Sequence, residues 1–189
     1  EIKKENDRAA SFMRFCEVVR HLRAEDGCPW DRAQTHTSLK PYCIEEAAEV
    51  IGGINIWEAT GDAENLKEEL GDLMLQILLH AQIAEEEGLF TIREVMDGAS
   101  EKMIRRHPHV FGKSMLSEQG EPVTDWDAIK KQEKAGKEWM EAYLPGALEE
   151  AEKLLERQRI CLRNKRNIWW IFLWPAPAMK RHSGIWRGK

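Results

Sequence analysis

The sequence predicts an all-α protein, folded as an antiparallel bundle of helices. Apolar side chains recur at helical spacing in six segments between residues 8 and 164. No stretch of 1–164 alternates apolar and polar residues in the way of a half-buried strand. Short breaks with turn residues separate the segments, so that consecutive helices are expected to pack antiparallel.

An amphipathic helix is expected over residues 8–23, followed by a structured loop over 26–41. Glycine and proline interrupt that loop, which has room for one short helix. A second long helix is expected over 42–57, although Gly52 and Gly53 weaken it locally.

The strongest helical pattern covers residues 63–87. Its apolar positions recur at alternating steps of four and three, which is typical of a seam in a bundle. The series consists of Leu66, Leu70, Leu73, Ile77, His80 and Ala84. Asp62 is a candidate N-cap for this helix, and Gly88 is a candidate C-terminal stop.

The second half of the chain continues the helical pattern over residues 92–106, 125–141 and 146–164, with a surface loop over 112–124. His107 and His109 flank Pro108 after the first of these helices. Each of the two histidines is interpreted as a structural residue or helix cap in preference to a phosphate contact.

The domain prediction is one helical domain over residues 1–164 and an atypical Trp/Arg-rich tail over 165–189. The tail has no acidic residue, whereas the rest of the chain is rich in them. We expect the tail to lack a native fold. A packed accessory segment and a membrane or partner contact stay open as alternatives.

Composition excludes several classes of protein. The formal net charge of -5 argues against binding to a nucleic-acid polymer, which usually requires a basic surface. No apolar run approaches the roughly 20 residues that span a bilayer, so no membrane partner is expected. The four cysteines form no CxxC pair and no zinc spacing, which predicts reduced thiols in a cytoplasmic protein.

Carboxylates on two helices suggest the chemistry. Glu45, Glu46 and Glu49 lie on the second helix, and Glu69 and Asp72 lie on the third. Residues three or four apart share a helix face, so each set projects together. Gly71, between Glu69 and Asp72, lacks a side chain and is expected to let another group approach closely.

Packing of these two helices against each other would bring four or five carboxylates together near the interior. Buried like charges raise one another's pKa or recruit cations, and all-oxygen ligands favour Mg²⁺ or Mn²⁺. Metals held in this way suit phosphate chemistry. The alternative is a solvated acidic face. A di-iron carboxylate bundle would normally require paired ExxH motifs, which are absent.

The motif EExxE, followed after 19 residues by ExxD, resembles the signature of the MazG family of nucleoside triphosphate pyrophosphohydrolases. Three flanking segments are also similar: GCPWDRAQTHTSLKPYCIEEAAEV, LKEELGDLMLQILLHAQIAEEEG and SEKMIRRHPHVFG. The resemblance covers about residues 10–160. It implies an all-α fold completed by dimerisation, as a homodimer or higher homo-oligomer.

The resemblance also implies the reaction and the metal ligands. A nucleoside triphosphate is cleaved between its α- and β-phosphates, giving a monophosphate and pyrophosphate, in keeping with nucleotide-pool cleaning. Mg²⁺ is held by Glu46, Glu49, Glu69 and Asp72. Glu45 is a further ligand or a base that orients water.

Substrate contacts are implied for Tyr42, Lys67, Lys102, Arg105, Arg106 and Trp126. From the residues alone, Lys102 and Arg106 are four positions apart and present two cations on one helix face. The alternative is a solvated basic face, in which Arg105 pairs with Glu101. Trp30 is interpreted either as a stacking surface for a base or as a core anchor.

Longer members of this family carry two such domains, whereas this chain carries one EExxE…ExxD set. The second hypothesis is therefore a catalytically weak dimerisation or nucleotide-binding module whose active partner domain is missing.

Overall fold

The computed structural model describes residues 2–112, 115–116, 122–123 and 126–164. Its α-helices are α1 (Ile2–Arg23), α2 (Pro29–Arg32), α3 (His36–Thr60), α4 (Glu64–Glu86), α5 (Ile92–Arg106), α6 (Pro108–Phe111), α7 (Trp126–Lys134) and α8 (Leu144–Asn164). A 3₁₀ helix covers Glu138–Tyr143. The all-α prediction is confirmed.

A small antiparallel strand pair lies within the segment predicted as a surface loop. β1 (Met115–Leu116) pairs with β2 (Pro122–Val123), with Met115 opposite Val123. Two residues a strand are too few to produce an alternating pattern, so the sequence contained no signal for it.

Helix α3 begins at His36, so the predicted start at Tyr42 is wrong. The reason is a capping box: Ser38 N donates to Thr35 Oγ1 at 3.2 Å, and Thr35 N donates to Ser38 Oγ at 2.9 Å. This reciprocal pair satisfies two backbone donors and starts the helix before Pro41, which lies inside it. The loop before it contains α2, as expected.

Helix α4 matches its predicted range within one residue at each end. Asp62 precedes the N-cap residue, which is Ala63, but its Oδ1 still accepts a hydrogen bond from Glu64 N at 2.9 Å. Gly88 follows the helix with a φ of 70°, a left-handed conformation that ends helices and favours glycine.

Helices α3 and α4 pack antiparallel, and a glycine sets their closest approach. A Cβ on Gly53 would lie only 2.8 Å from the Cα of Leu66, so a side chain there would force the helices apart. The space beside Gly71 is open: apart from its chain neighbours and its own helix backbone, no atom of the described residues lies within 4 Å of a Cβ built there. The close approach expected at Gly71 therefore stays a prediction.

The apolar core joins α1, α3 and α4. Its buried residues are Val19, Leu39, Leu78, Leu79 and Ile83. The seam predicted for α4 is only partly correct, because Leu70 is 51% exposed and Ile77 is 43% exposed. Helix α4 is apolar on more than one face, and periodicity did not show which face meets α3.

A partly buried ion pair fixes the end of α4 against α1 and its following loop. The side chain of Arg23 is only 5% exposed, and its Nη2 lies 2.7 Å from Glu86 Oε2. Its Nη1 donates to Asp31 O at 2.6 Å and to Gln34 O at 3.2 Å. The guanidinium thereby connects three segments, and its buried donors are satisfied.

The C-terminal half differs in its boundaries from the predictions. The helix expected over 125–141 is divided into α7 and the 3₁₀ helix, with Gly136 in a left-handed conformation between them. Helix α8 begins two residues before the predicted 146. The tail prediction for 165–189 falls outside the described residues. Among the helices that the structure describes, none has the length and apolarity needed to cross a bilayer.

Replacing Glu86 by glutamine should lower the free energy of unfolding by about 1–2 kcal/mol near neutral pH, because Arg23 loses its charged partner. Hydrogen bonds from Arg23 lower the pKa of Glu86 below its usual 4.5. The contribution is therefore present above about pH 4.5 and is lost as pH falls through the folded-state pKa.

Urea denaturation at about pH 7 and about pH 3 measures this difference, with the exposed neighbour Glu85→Gln as the control. An equal loss of stability at both pH values would contradict the assignment.

Candidate active site

Three predicted carboxylates meet where α3 packs on α4. Ligand oxygens of Glu46, Glu49 and Glu69 all lie within 4.8 Å of one another. The first two stand one turn apart on α3, and the third reaches across from α4. The predicted convergence of the two motifs is confirmed for these residues.

Asp72 and Glu45 lie around this trio. Both raise the pKa of Glu46 and of Glu49 through like-charge repulsion. They are thus close enough to act electrostatically, although they are not among the three residues whose oxygens meet within 4.8 Å. The structure therefore arranges the five predicted carboxylates as an inner trio with two neighbours.

Burial and repulsion together strain the cluster. Burial is the main cause that raises the pKa of Glu46 to about 7, and the charges of Glu49 and Asp72 add to it. Burial likewise raises the pKa of Glu49 to about 7, followed by repulsion from Glu69. Adjacent carboxylates that hold protons near neutral pH form a set that a cation would stabilise. Their oxygen donors fit a hard divalent ion.

Asn65 supports the cluster from α4, and sequence reasoning missed it. Its Nδ2 donates to Glu69 Oε1 at 2.8 Å. Asn65 precedes Glu69 by one helical turn, so that i, i+4 spacing was a signal available in the sequence. Its Oδ1 also lies at the close helix contact, 3.3 Å from where a Cβ of Gly53 would stand.

The predicted phosphate-binding arginines already have a partner. Arg105 Nη2 lies 3.0 Å from Glu133 Oε1, and Arg106 Nη2 lies 2.6 Å from Glu133 Oε2. The alternative pairing of Arg105 with Glu101 is therefore not the one observed. Burial raises the pKa of Glu133, but the hydrogen bonds from both arginines outweigh it and leave that pKa below its usual value. Lys102 is exposed one turn before Arg106.

The remaining predicted substrate residues lie in different surroundings. Lys67 is exposed and forms an ion pair with Glu64, one turn back on α4. Trp30 is 41% exposed and meets Tyr42 edge to face, with ring centroids 6.0 Å apart. Trp126 begins α7, and its side chain is outside the described part of the structure.

A chain of polar contacts runs from Glu87 to α3 beside the carboxylates. His36 Nδ1 lies 2.7 Å from His80 Nδ1, and His80 Nε2 lies 3.2 Å from Cys43 Sγ. His36 Nε2 lies 4.0 Å from Glu87 Oε2. His80 was predicted as an apolar seam position, and no local spacing connects it with His36, 44 residues away.

One placement of the protons satisfies all the polar contacts between Glu87, His36, His80 and Cys43. Burial raises the pKa of Cys43, which keeps its thiol as a donor to His80 Nε2. His80 then carries its proton on Nδ1 and donates it to His36 Nδ1. His36 is left with its proton on Nε2, facing the carboxylate of Glu87. The reverse order would turn a bare ring nitrogen towards that carboxylate.

His107 has a structural role, as expected. It follows α5 as the C-cap residue, and its Nδ1 lies 2.7 Å from Met103 O. Its ring is 5.8 Å from that of His109, between centroids.

Part of the chain, including both carboxylate motifs, is similar to known proteins. Residues 34–111, which contain both carboxylate motifs, match the family model described as the MazG nucleotide pyrophosphohydrolase domain. A protein of Thermotoga maritima named nucleoside triphosphate pyrophosphohydrolase/pyrophosphatase MazG is 50% identical over 126 residues, covering 67% of this chain and 46% of that protein.

Two further relatives show the same partial coverage. The nucleoside triphosphate pyrophosphohydrolase of Escherichia coli K12 is 41% identical over 125 residues, which are 66% of this chain and 46% of that protein. The uncharacterized protein YabN of Bacillus subtilis is 48% identical over 133 residues, which are 70% of this chain and 26% of that protein. The chain thus spans less than half the length of each of these relatives.

The proton arrangement around His80 predicts its tautomer. Near pH 8, long-range ¹H–¹⁵N spectra should show His80 protonated on Nδ1 and His36 protonated on Nε2, with exposed His109 as the reference. Cys43→Ala should shift the His80 Nε2 resonance because its donor is removed. A His80 ring protonated on Nε2 would show that the hydrogen bonds are donated in the opposite direction, from His36 to His80 and from His80 to Cys43.

Proposed function

Residues 34–111 of this chain form a MazG nucleotide pyrophosphohydrolase domain, and we propose that the chain hydrolyses nucleoside triphosphates to nucleoside monophosphates and pyrophosphate. The observation that carries this proposal is the convergence of Glu46, Glu49 and Glu69 between α3 and α4. Two relatives, 50% and 41% identical to about two thirds of this chain, bear names stating this activity.

Mg²⁺ is the proposed cofactor, with Mn²⁺ as a substitute, because oxygen ligands select hard cations. The proposed ligands are Glu46, Glu49, Glu69 and Asp72. When bound, the cation neutralises phosphate oxygens and favours ionisation of a water nucleophile. Asn65 holds the carboxylate of Glu69 in place through its 2.8 Å hydrogen bond.

Glu45 is proposed as a further ligand or as the base that orients the attacking water. Its charge acts on both Glu46 and Glu49, so it borders the cluster. A carboxylate in that place is suited to accept a proton from a water molecule held by its neighbours.

Three cations on α5 are proposed to bind the phosphates: Lys102, Arg105 and Arg106. Lys102 forms no ion pair within the part of the chain that the structure describes, so its ammonium is available to an anion. Glu133 holds the two guanidinium groups side by side. A phosphate would share them with Glu133 or take its place.

The nucleoside is proposed to lie against aromatic side chains. Trp30 and Tyr42 form an edge-to-face pair beside the first carboxylate motif, and the exposed ring of Trp30 offers a stacking surface. Trp126 and Lys67 are further proposed contacts. For Lys67, binding would require its ion pair with Glu64 to open.

Homodimerisation or a higher homo-oligomer is part of the proposal. Large apolar side chains stay exposed on the two site helices, including Ile51 on α3 and Leu70 and Ile77 on α4. A second copy would remove them from water. Sedimentation equilibrium should give at least twice the chain mass, and a monomer would disprove this part. The proposed setting is nucleotide-pool cleaning in the cytoplasm.

A second candidate is a nucleotide-binding or dimerisation module with weak catalysis. The observation favouring it is length: the chain covers only 46% of the two pyrophosphohydrolase relatives. The active portion of such proteins can lie outside the shared part.

Release of pyrophosphate from a panel of nucleoside triphosphates, with and without Mg²⁺, tests the main proposal. We expect metal-dependent release that Glu49→Gln reduces by at least about 100-fold, because the cation that stabilises the transition-state charge loses one of its ligands. The exposed neighbour Glu68→Gln should retain activity. A folded protein that binds nucleotide without release would favour the module instead.

A further inference from the structure

Gln76 is a buried polar residue that the apolar core does not explain. It is 6% exposed, in the middle of α4. Its Oε1 is buried and has no hydrogen-bond partner among the described residues. A buried amide oxygen without a donor destabilises a fold, so its presence calls for a ligand or a functional reason.

The register of α3 and α4 places Gln76 at the inner end of the carboxylate cluster. It follows Asp72 by four residues and precedes His80 by four, and therefore shares their helix face. His80 contacts Cys43 across the interface, and Asp72 acts on Glu46. By this register, we infer that Gln76 falls between these two pairs, in the layer opposite Glu46.

The chemistry of this layer leaves the amide oxygen without a protein donor. Carboxylates that hold a cation are ionised, and their oxygens then only accept hydrogen bonds, so they cannot satisfy another acceptor. A hydrated divalent cation would bring donors to the layer, because Mg²⁺ usually retains several of its water molecules when proteins bind it. Residues that bond to such waters orient the ligands around the ion.

We propose that Gln76 is a positioning residue of the metal site, whose Oε1 accepts a hydrogen bond from a water molecule that hydrates the cation held by the carboxylates. This inference rests on the proposed metal-dependent function. It gives a reason for the presence of an amide at a buried position of α4.

The test compares Gln76→Met with Gln82→Met in the full chain. Methionine has a similar shape and removes the amide. Gln82 lies on the same helix and contacts Glu86 outside the carboxylate cluster. Calorimetric titration with Mn²⁺ alone gives the metal affinity, and thermal denaturation in EDTA gives the stability of the metal-free protein.

We expect Gln76→Met to weaken Mn²⁺ binding by about tenfold or more, the usual effect of losing an outer-shell partner. The variant should also melt higher than the wild type in EDTA, since its orphaned oxygen is gone. Gln82→Met should leave the Mn²⁺ affinity unchanged. A Gln76→Met affinity within about twofold of the wild type would overturn the proposal, whatever its melting temperature.

Gln76→Glu provides an independent arm in case the methionine variant does not fold. An added carboxylate beside Glu46 should lower the melting temperature in EDTA and enlarge the gain on adding Mn²⁺. A gain equal to that of the wild type would overturn the placement of Gln76. Wild-type protein that binds no Mn²⁺ and releases no pyrophosphate would instead overturn the proposed function itself.

Discussion

Repulsion between carboxylates on two tightly packed helices is the constraint on which the rest of this structure depends. Glu46, Glu49 and Glu69 have ligand oxygens within 4.8 Å of one another, and the pKa values of the first two are raised to about 7 by burial and by neighbouring charges. A fold that depended on stability alone would separate these groups. Their arrangement stores electrostatic free energy that a bound cation would release.

The remainder of the fold keeps these helices from moving apart. Gly53 lets the backbones of α3 and α4 approach closely, and the core around Leu39 and Leu79 holds both helices against α1. At the far end of α4, the ion pair of Arg23 and Glu86 ties the helix to the loop that precedes α3. The apolar core and this partly buried ion pair thus oppose the repulsion in the site.

Local sequence patterns were sufficient for the helices and for the convergence of the two motifs. Spacing along one helix predicts which carboxylates share a face, and short connections predict antiparallel packing. The start of α3 differs from its predicted place because Pro41 resembles a helix boundary, whereas the capping box at Thr35 starts the helix earlier. The resemblance to a family provided the substrate class and the choice of ligands, which spacing alone did not.

The spacing of residues along the sequence does not predict the contacts between distant segments. His36 and His80, 44 residues apart in the sequence, lie in hydrogen-bonding contact. Glu133 of α7 forms ion pairs with both Arg105 and Arg106 of α5. The pattern of α4 also does not predict that Leu70 and Ile77 are exposed, because a helix that is apolar on several sides does not show which side packs against its neighbour. These features depend on tertiary packing, for which periodicity has no signal.

Thermal denaturation of wild type and Glu49→Gln near pH 8.5, in EDTA and in Mg²⁺, tests the central claim most directly. We predict that the variant melts about 2–4 °C above the wild type in EDTA, as expected for roughly 1 kcal/mol of relieved repulsion. Mg²⁺ should raise the melting temperature of the wild type and have little effect on the variant. A variant that melts below the wild type in EDTA, and whose melting temperature Mg²⁺ raises as much, would show that these carboxylates neither repel one another nor bind the ion.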